Sequence, residues 1–157
     1  MKKTLKLTSL TLALLIAALA LFSCASGNVA RVGTATVVVE KNGEFSKYEV
    51  NLLTVSDHSG GALALLKELE KDGFSYSVSA GGYGAYLTSI DGMTPDPSCE
   101  YISVYTSVES DFAVPTEYMP TVSTVDYEGT TLTYSGVGIS QMNVPSGAVI
   151  LFRVEGF

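Results

Sequence analysis

The feature that most constrains how this chain can fold is a glycine cluster that leads into an aromatic strand. Residues 81–93 read GGYGAYLTSIDGM, so three glycines within four positions precede an alternating segment that ends in Asp91-Gly92. Glycine permits bends and close backbone approach, and Asp-Gly favours a tight turn between strands. No Lys follows the glycines and a strand follows them, which excludes a phosphate-binding loop. The stretch predicts a structural corner that joins two strands.

The N-terminus has the layout of a secretory signal. Three lysines within the first six residues precede an apolar run over residues 10–22. This run is short for a membrane-spanning helix, which needs about 20 residues. The alternative to a cleaved signal is an uncleaved membrane helix. The sequence Leu21-Phe22-Ser23-Cys24 resembles the bacterial lipoprotein signal, which implies cleavage before Cys24 and a lipid on its thiol. We expect a signal peptide over residues 1–23, a tether over residues 24–33, and an exported protein lipid-anchored to the outer face of a bacterial membrane in the cell envelope.

The charge of the chain excludes one class of partner. The formal net charge is −7, and removal of residues 1–23 takes away three lysines and no acid, which gives −7 − 3 = −10. Nucleic-acid binding needs clustered Lys and Arg on phosphates, so no nucleic-acid partner is expected. With Cys24 lipidated, Cys99 is the one remaining thiol. It is a nucleophile, an intermolecular bridge, or a small residue at a strand edge.

The periodicity of the apolar residues predicts strands with a single helix between them. Strict alternation indicates half-buried strands, and a stripe at i, i+3, i+4 and i+7 indicates a helix. Ser56, Asp57 and Ser59 are candidates for the helix N-cap, and Gly73 for its C-terminal end. The predicted elements are strands over residues 34–40 and 45–53 joined at Asn42-Gly43, a helix with the stripe Ala62, Leu65, Leu66 and Leu69, strands over 74–79, 83–90 and 100–109, a hairpin of 122–126 and 130–134, and an apolar strand over 148–154.

This order of elements predicts one α+β domain over residues 34–157. A β-hairpin followed by a short helix packed across a mixed sheet is the β-grasp arrangement. The apolar C-terminal strand is expected to be covered on both faces and, by analogy with that fold, to pair beside the first strand. Residues 110–134 are predicted to be an insertion that contains the small hairpin.

The same segments resemble a known family. The strand pair 36–53, the helix around residues 62–66, the block 83–92 and the ending 138–152 resemble the DUF4430 domain, which is similar to the C-terminal β-domain of the transcobalamin and intrinsic factor proteins. That domain covers one face of the corrin ring in cobalamin carriers, so the resemblance implies a non-catalytic ligand-binding module with a corrinoid as ligand. The chain departs from the family at residues 99–108, where a Trp-containing strand is usual, and it has no Trp.

Aromatic side chains supply the candidate ligand-binding residues. Tyrosine offers a flat apolar surface with a polar tip, which suits stacking on a ring ligand. Cross-strand aromatic pairing is the alternative explanation for tyrosines in neighbouring strands. The predicted ligand-binding residues are Tyr76, Tyr83, Gly84, Tyr86 and Tyr101, and Tyr105 lies in the same predicted group.

No constellation in the sequence specifies a reaction. His58 is the single His, and as a base or lone metal ligand it has no clustered partner. Asp91 could pair with Asp96, but Asp before Gly is the ordinary choice for a turn. We therefore predict no catalytic residue, no metal site, no cofactor and no enzyme activity. The alternative to a ligand-binding module is a structural or protein-interaction subunit of an envelope complex, with residues 110–134 as its contact surface.

Overall fold

The structure, a computed structural model, describes residues 31–81 and 84–157. The predicted signal peptide, the lipid-attachment site Cys24, most of the tether, and Tyr83 therefore lie outside the described residues. Among the described residues, no helix has the length and apolar character needed to cross a membrane. The elements are β1 Thr34–Lys41, β2 Glu44–Asn51, α1 Gly61–Glu70, β3 Tyr76–Gly81, β4 Gly84–Ile90, β5 Glu100–Thr106, β6 Thr124–Tyr127, β7 Thr130–Tyr134 and β8 Val149–Gly156.

The C-terminal strand β8 is the centre of a six-stranded mixed sheet of order β2-β1-β8-β5-β7-β6. It pairs in parallel with β1 and antiparallel with β5. Leu151 and Phe152 point to opposite faces and both are completely buried. The predicted covered strand beside the first strand is confirmed, and so are the α+β class and the mixed sheet with one short helix across it.

Turn chemistry fixes the β1–β2 hairpin. Asn42 and Gly43 have φ angles of 55° and 83°, the positive values that a type I′ turn requires. The turn sets a register in which Val37 faces Tyr48. Because strand side chains alternate, Val50 joins these residues on the buried face. The predicted hairpin is confirmed, although β2 ends at Asn51 rather than at residue 53.

Helix α1 packs its predicted stripe into the larger core. Ala62, Leu65, Leu66 and Leu69 are all buried. The N-cap prediction was wrong, because Asp57 accepts the N–H of Ser59 in a 3₁₀ turn over His58–Gly60 and α1 begins after Gly60. At Gly61 a Cβ would lie 2.7 Å from the Ile139 carbonyl oxygen. A larger residue there would separate the helix from the chain around residue 139.

The six-stranded sheet curls into a half-barrel with a second, smaller core on its other face. The edge strands approach each other where Phe45 contacts Tyr127 edge-on, with ring centroids 5.3 Å apart. Lys47 and Glu128 form an ion pair of 3.8 Å across the same gap. The predicted hairpin of residues 122–134 is confirmed as β6–β7. That residues 110–134 are an insertion stays a prediction. The second core is formed by Val38, Tyr105, Val125, Tyr127, Leu132 and Leu151.

Strands β3 and β4 form a separate two-stranded sheet. Asp91 and Gly92 adopt φ angles of 48° and 75°, and Ile90 pairs with Met93 across them. The predicted Asp-Gly turn is confirmed. Ile90 and Leu87 are buried in the larger core, so one face of this hairpin closes the body of the domain.

Candidate functional site

Two of the predicted tyrosines lie on opposite faces of the β3–β4 hairpin. Tyr76 packs against the larger core, and burial followed by the charge of Glu70 raises its pKa. Tyr86 is 53% exposed and pairs with Ser79 on the outer face. A Cβ on Gly81 would lie 3.3 Å from the Tyr86 ring, so the glycine lets this ring lie close to the strand.

Tyr101 lies on the main sheet, away from both. Its ring stacks on Phe157 with centroids 5.3 Å apart, and its strand neighbour Tyr105 is completely buried in the second core. Burial, followed by the charges of Tyr134 and Glu155, raises the pKa of Tyr101 to about 12. Tyr76, Tyr86 and Tyr101, the predicted tyrosines that the structure describes, therefore do not converge on one surface. Their role in ligand binding stays a prediction, and it rests chiefly on Tyr86 among the described residues.

Gly84 opens β4 with a φ angle of 106°, a conformation that disfavours side chains. A Cβ there would lie 3.5 Å from Ser140 Oγ. Beside it, a cavity of about 140 Å³ lies between β4 and β5, and Tyr86, Ile102 and Val137 contribute to its lining. A cavity of this size fits one small apolar group.

A second surface, which sequence reasoning missed, lies at the C-terminal end of β8. It is an open cavity of about 590 Å³, here called the Arg153 notch. The pairing of β1 with β8 ends at Glu40 and Arg153, and the chain turns away at Asn42-Gly43. This divergence opens the notch. Its lining consists of residues 40–43, 93–95, Glu100 and 153–155.

Charged groups meet inside the notch. Arg153 donates through Nε to Glu155 Oε1 over 2.8 Å, and its Nη2 also contacts this carboxylate. The hydroxyl of buried Tyr105 donates to the same oxygen over 2.8 Å, and the Arg153 guanidinium lies 4.9 Å from the Tyr105 ring centroid. Glu40 Oε2, 3.5 Å from Arg153 Nη1, is buried without a hydrogen-bond partner among the described residues.

The pKa values of these groups follow from burial and their mutual contacts. Burial alone would raise the pKa of Glu155, but hydrogen bonds from Tyr105, Arg153 and Ser103 together outweigh it and hold the pKa below its usual value. Burial raises the pKa of Tyr105, and its bond to Glu155 raises it further. The notch therefore keeps a carboxylate and a guanidinium ionised in a partly desolvated place.

This arrangement suits recognition of a polar ligand. Guanidinium N–H groups donate and carboxylate oxygens accept, so the notch can hold amides or charged groups. Among residues 31–81 and 84–157, no group of three or more His, Cys, Asp or Glu could hold a metal ion. The sequence did carry a signal for this site, because Arg153 is the one Lys or Arg after Lys71 and it interrupts an apolar strand.

The other singled-out residues have separate structural contacts. His58 Nε2 accepts a long hydrogen bond of 3.4 Å from the Arg31 backbone. Asp91 accepts the Tyr48 hydroxyl over 2.8 Å. Asp96 accepts from the backbone and the hydroxyl of Ser98 in its own turn. Cys99 is exposed with a free thiol. Asp96 also accepts the Cys99 backbone N–H at its carbonyl oxygen over 3.1 Å, and none of these hydrogen bonds connects His58 or Asp91 to that turn.

Comparisons with known proteins support the fold. Sixteen chains of solved structures match. One is a protein from Ruminococcus gnavus ATCC 29149, provisionally described as metal-binding, with a TM-score of 0.51 and 16% identity over 80% of this chain and 98% of that chain. Another is haptocorrin in complex with Cbi, with a TM-score of 0.53 and 15% identity over 86% of this chain and 29% of that chain. No family model and no curated protein matches significantly.

These likenesses show a shared fold. This chain spans about 29% of the length of haptocorrin, so it corresponds to one part of that protein. The fold that the resemblance to transcobalamin-type domains implies is confirmed. Membership of DUF4430 stays a prediction.

Proposed function

We propose that this protein is a lipid-anchored envelope protein whose domain binds a polar ring ligand without catalysis, and that the ligand is a corrinoid. The observation that carries the proposal is the Arg153 notch, where a guanidinium and the carboxylates of Glu40, Glu100 and Glu155 line one cavity. The likeness in fold to haptocorrin in complex with Cbi supports the ligand class.

The chemistry of the notch fits the rim of a corrinoid. Corrinoids carry amide side chains around the ring, and an amide offers both N–H donors and a carbonyl acceptor. The guanidinium supplies donors and the carboxylates accept. Glu40 Oε2 lies 3.5 Å from Arg153 Nη1 and has no hydrogen-bond partner among the described residues, so an amide N–H would give it a hydrogen bond. A cavity of about 590 Å³ takes the amide side chains rather than the ring, which would lie across the mouth of the notch.

Titration calorimetry with cobinamide and cobalamin tests the ligand. The protein is the chain from residue 24 with Cys24→Ser, which contains every described residue. We expect saturable binding, weakened at least tenfold by Glu100→Gln and Lys41→Ala at the notch. The matched variant Tyr86→Ala, on the exposed hairpin face, should leave it unchanged. Weakening by Tyr86→Ala alone would move the site to the predicted tyrosines. If neither corrinoid binds at high micromolar concentration, the proposal that the ligand is a corrinoid is wrong.

The anchor has its own test. Lipidation of Cys24 would hold the protein on the membrane because two or more acyl chains give stable anchoring. Expressed in a bacterial host, the native chain should sediment with membranes and the Cys24→Ser chain should not. Sedimentation of both with membranes would point to an uncleaved N-terminal helix and contradict lipid anchoring.

Exposed apolar residues in the loop between β5 and β6 favour a second candidate function, protein interaction. Val114 is 74% exposed and Tyr118 is 94% exposed. Both lie within residues 110–134, which were predicted to be the contact surface. If the protein is a subunit of an envelope complex, Val114→Ser with Tyr118→Ser should remove partners that co-purify with the native protein. Unchanged partners would count against this function.

A further inference from the structure

The outer edge of β3 is a free sheet edge. Strand β3 pairs with β4 on one side, and its other side pairs with no strand among those the structure describes. The Ser75 carbonyl accepts the Asp91 N–H over 2.8 Å, so Ser75 points its backbone groups toward β4. Alternate residues of a strand point theirs to opposite sides. The register shifts between Ser77 and Val78, but the skipped residue is Thr88 of β4, so β3 itself keeps its alternation. The backbone groups of Tyr76, Val78 and Ala80 therefore face outward.

Both edges of the six-stranded sheet are protected, and the outer edge of β4 faces β5 across the cavity between them. The outer edge of β3 has no such protection among the described residues. The outer strands β2 and β6 approach each other at Phe45 and Tyr127, and both strands carry charged residues. Charged residues and prolines on an edge oppose pairing with another chain. Strand β3 reads YSVSAG, which has neither, and Val78 is 42% exposed on it.

The distribution of charge along the chain favours a second copy of the protein at this edge. The run over residues 74–90 contains no charged side chain, whereas the whole chain carries a net charge of −7. Two copies of so acidic a protein repel each other, and they repel least where their neutral segments meet. The neutral hairpin is therefore the place where a second copy can approach.

We propose that β3 pairs antiparallel with β3 of a second copy around a two-fold axis at Val78, which joins the two hairpins into one four-stranded sheet. In this register Val78 exchanges hydrogen bonds with Val78 of the second copy, and Tyr76 exchanges them with Ala80. The pairing is self-complementary, as a two-fold interface requires. It leaves the Arg153 notch and Tyr86 free, so it is independent of the proposed ligand.

The expected affinity follows from the size of the contact. Pairing of six-residue strands buries less than the roughly 1,600 Å² of a standard interface. The dimer is therefore weak in solution, with a dissociation constant on the order of 10 μM to 1 mM.

Sedimentation and residue-resolved hydrogen exchange test the dimer in the chain from residue 24 with Cys24→Ser and Cys99→Ser, which cannot form a disulfide. The N–H groups of Tyr76, Val78 and Ala80 should exchange fast in dilute protein and slow down as the concentration rises. The N–H groups of the β6–β7 hairpin, which lies outside the proposed interface, are the internal control and should respond much less. Sedimentation should show a monomer–dimer equilibrium over the same range.

Substitutions at the axis sharpen the test. Val78→Lys places two like charges opposite each other across the strands and should raise the dissociation constant at least tenfold. Val78→Thr keeps a β-branched residue and should leave it within about twofold. Val114→Lys, which adds the same charge at an exposed position outside the hairpin, should weaken dimerisation much less than Val78→Lys.

Three results would overturn the proposal. The first is a monomer at about 1 mM with fast exchange at all three outward N–H groups. The second is a dimer in which the protected N–H groups lie outside β3. The third is protection of these N–H groups by added envelope extract and not by concentration of the pure protein, which would assign the edge to a different protein.

Discussion

Strand β8 and the β3–β4 hairpin have opposite surroundings. Strand β8 is hydrogen-bonded on both edges and buried on both faces at Leu151 and Phe152. Strand β3 has one partner, and Val78 in its middle is 42% exposed. A two-stranded hairpin is marginal in water without packing. The fold therefore divides into a rigid centre that holds the charged notch and a lightly held hairpin that offers a neutral edge.

The largest expected effect tests the rigid centre. Phe152→Ala removes a completely buried ring from the middle of the sheet and should lower the free energy of unfolding by about 3–5 kcal/mol. The same substitution at Phe157, which is 87% exposed, should lower it by less than about 1 kcal/mol. Urea denaturation measures both. Similar losses in the two variants would contradict a division between a buried and an exposed part of the C-terminal segment.

The next effect tests the charged notch within that centre. Arg153→Met keeps the apolar stem and leaves Glu155 and Glu40 without their cation. Because these carboxylates are largely buried, the free energy of unfolding should fall by about 2–3 kcal/mol. Lys71→Met removes a cation whose side chain is 60% exposed and should change it by less than about 0.5 kcal/mol. Equal changes in the free energy of unfolding for the two variants would mean that solvent screens the charges of the notch as strongly as it screens charges at the surface.

A smaller effect depends on pH. The pKa of Glu155 is lower in the folded protein than the ordinary value of 4.5 for a Glu side chain, so ionised Glu155 stabilises the fold above that pH. This contribution is lost as the pH falls through the lowered pKa, and it amounts to about 1 kcal/mol per pKa unit. The free energy of unfolding of the native chain minus that of Glu155→Gln should be constant above about pH 6 and should shrink below about pH 4.5.

A difference that does not vary between pH 3 and 7 would contradict the contacts of Glu155. Asp57→Asn is a useful control because the Asp57 carboxyl is exposed. Its pKa is also lowered, through hydrogen bonds from the Ser59 hydroxyl and backbone. Its pH dependence should appear in the same range without affecting the notch.

Much of the fold could be predicted because local chemistry and tertiary structure agree. Asn42-Gly43, Asp91-Gly92 and the apolar stripe of α1 each specify one local geometry, and the structure contains all three. The predicted N-cap of α1 was wrong because the close approach of Gly61 to the Ile139 carbonyl determines where the helix begins. No local pattern reports such a contact.

The candidate site was harder to predict for a physical reason. Alternation identifies which side chains share a face of one strand, but it does not say which strands are neighbours. Tyr76 and Tyr86 lie on opposite faces of the β3–β4 hairpin, and Tyr101 lies on the main sheet, with which β4 does not pair. The notch depends on where β1 stops pairing with β8, which is a property of two distant segments. Arg153 in an apolar strand was the visible sign of it.

The smallest expected effect tests the hairpin. Val78→Ala should lower the free energy of unfolding by less than about 0.5 kcal/mol, because the side chain is partly exposed and packs on few neighbours. Native-state hydrogen exchange in dilute protein should show β3 and β4 opening together at a lower free energy than β8, since regions with few buried contacts open first. The N–H groups of Ser77 and Ser79 would then exchange by local opening and those of Leu151 by global unfolding. Equal opening free energies would mean that Leu87 and Ile90, which pack into the larger core, bind the hairpin to the body as firmly as the sheet binds β8. The free edge would in that case belong to a rigid strand, and Val78→Lys would act on dimerisation through charge alone.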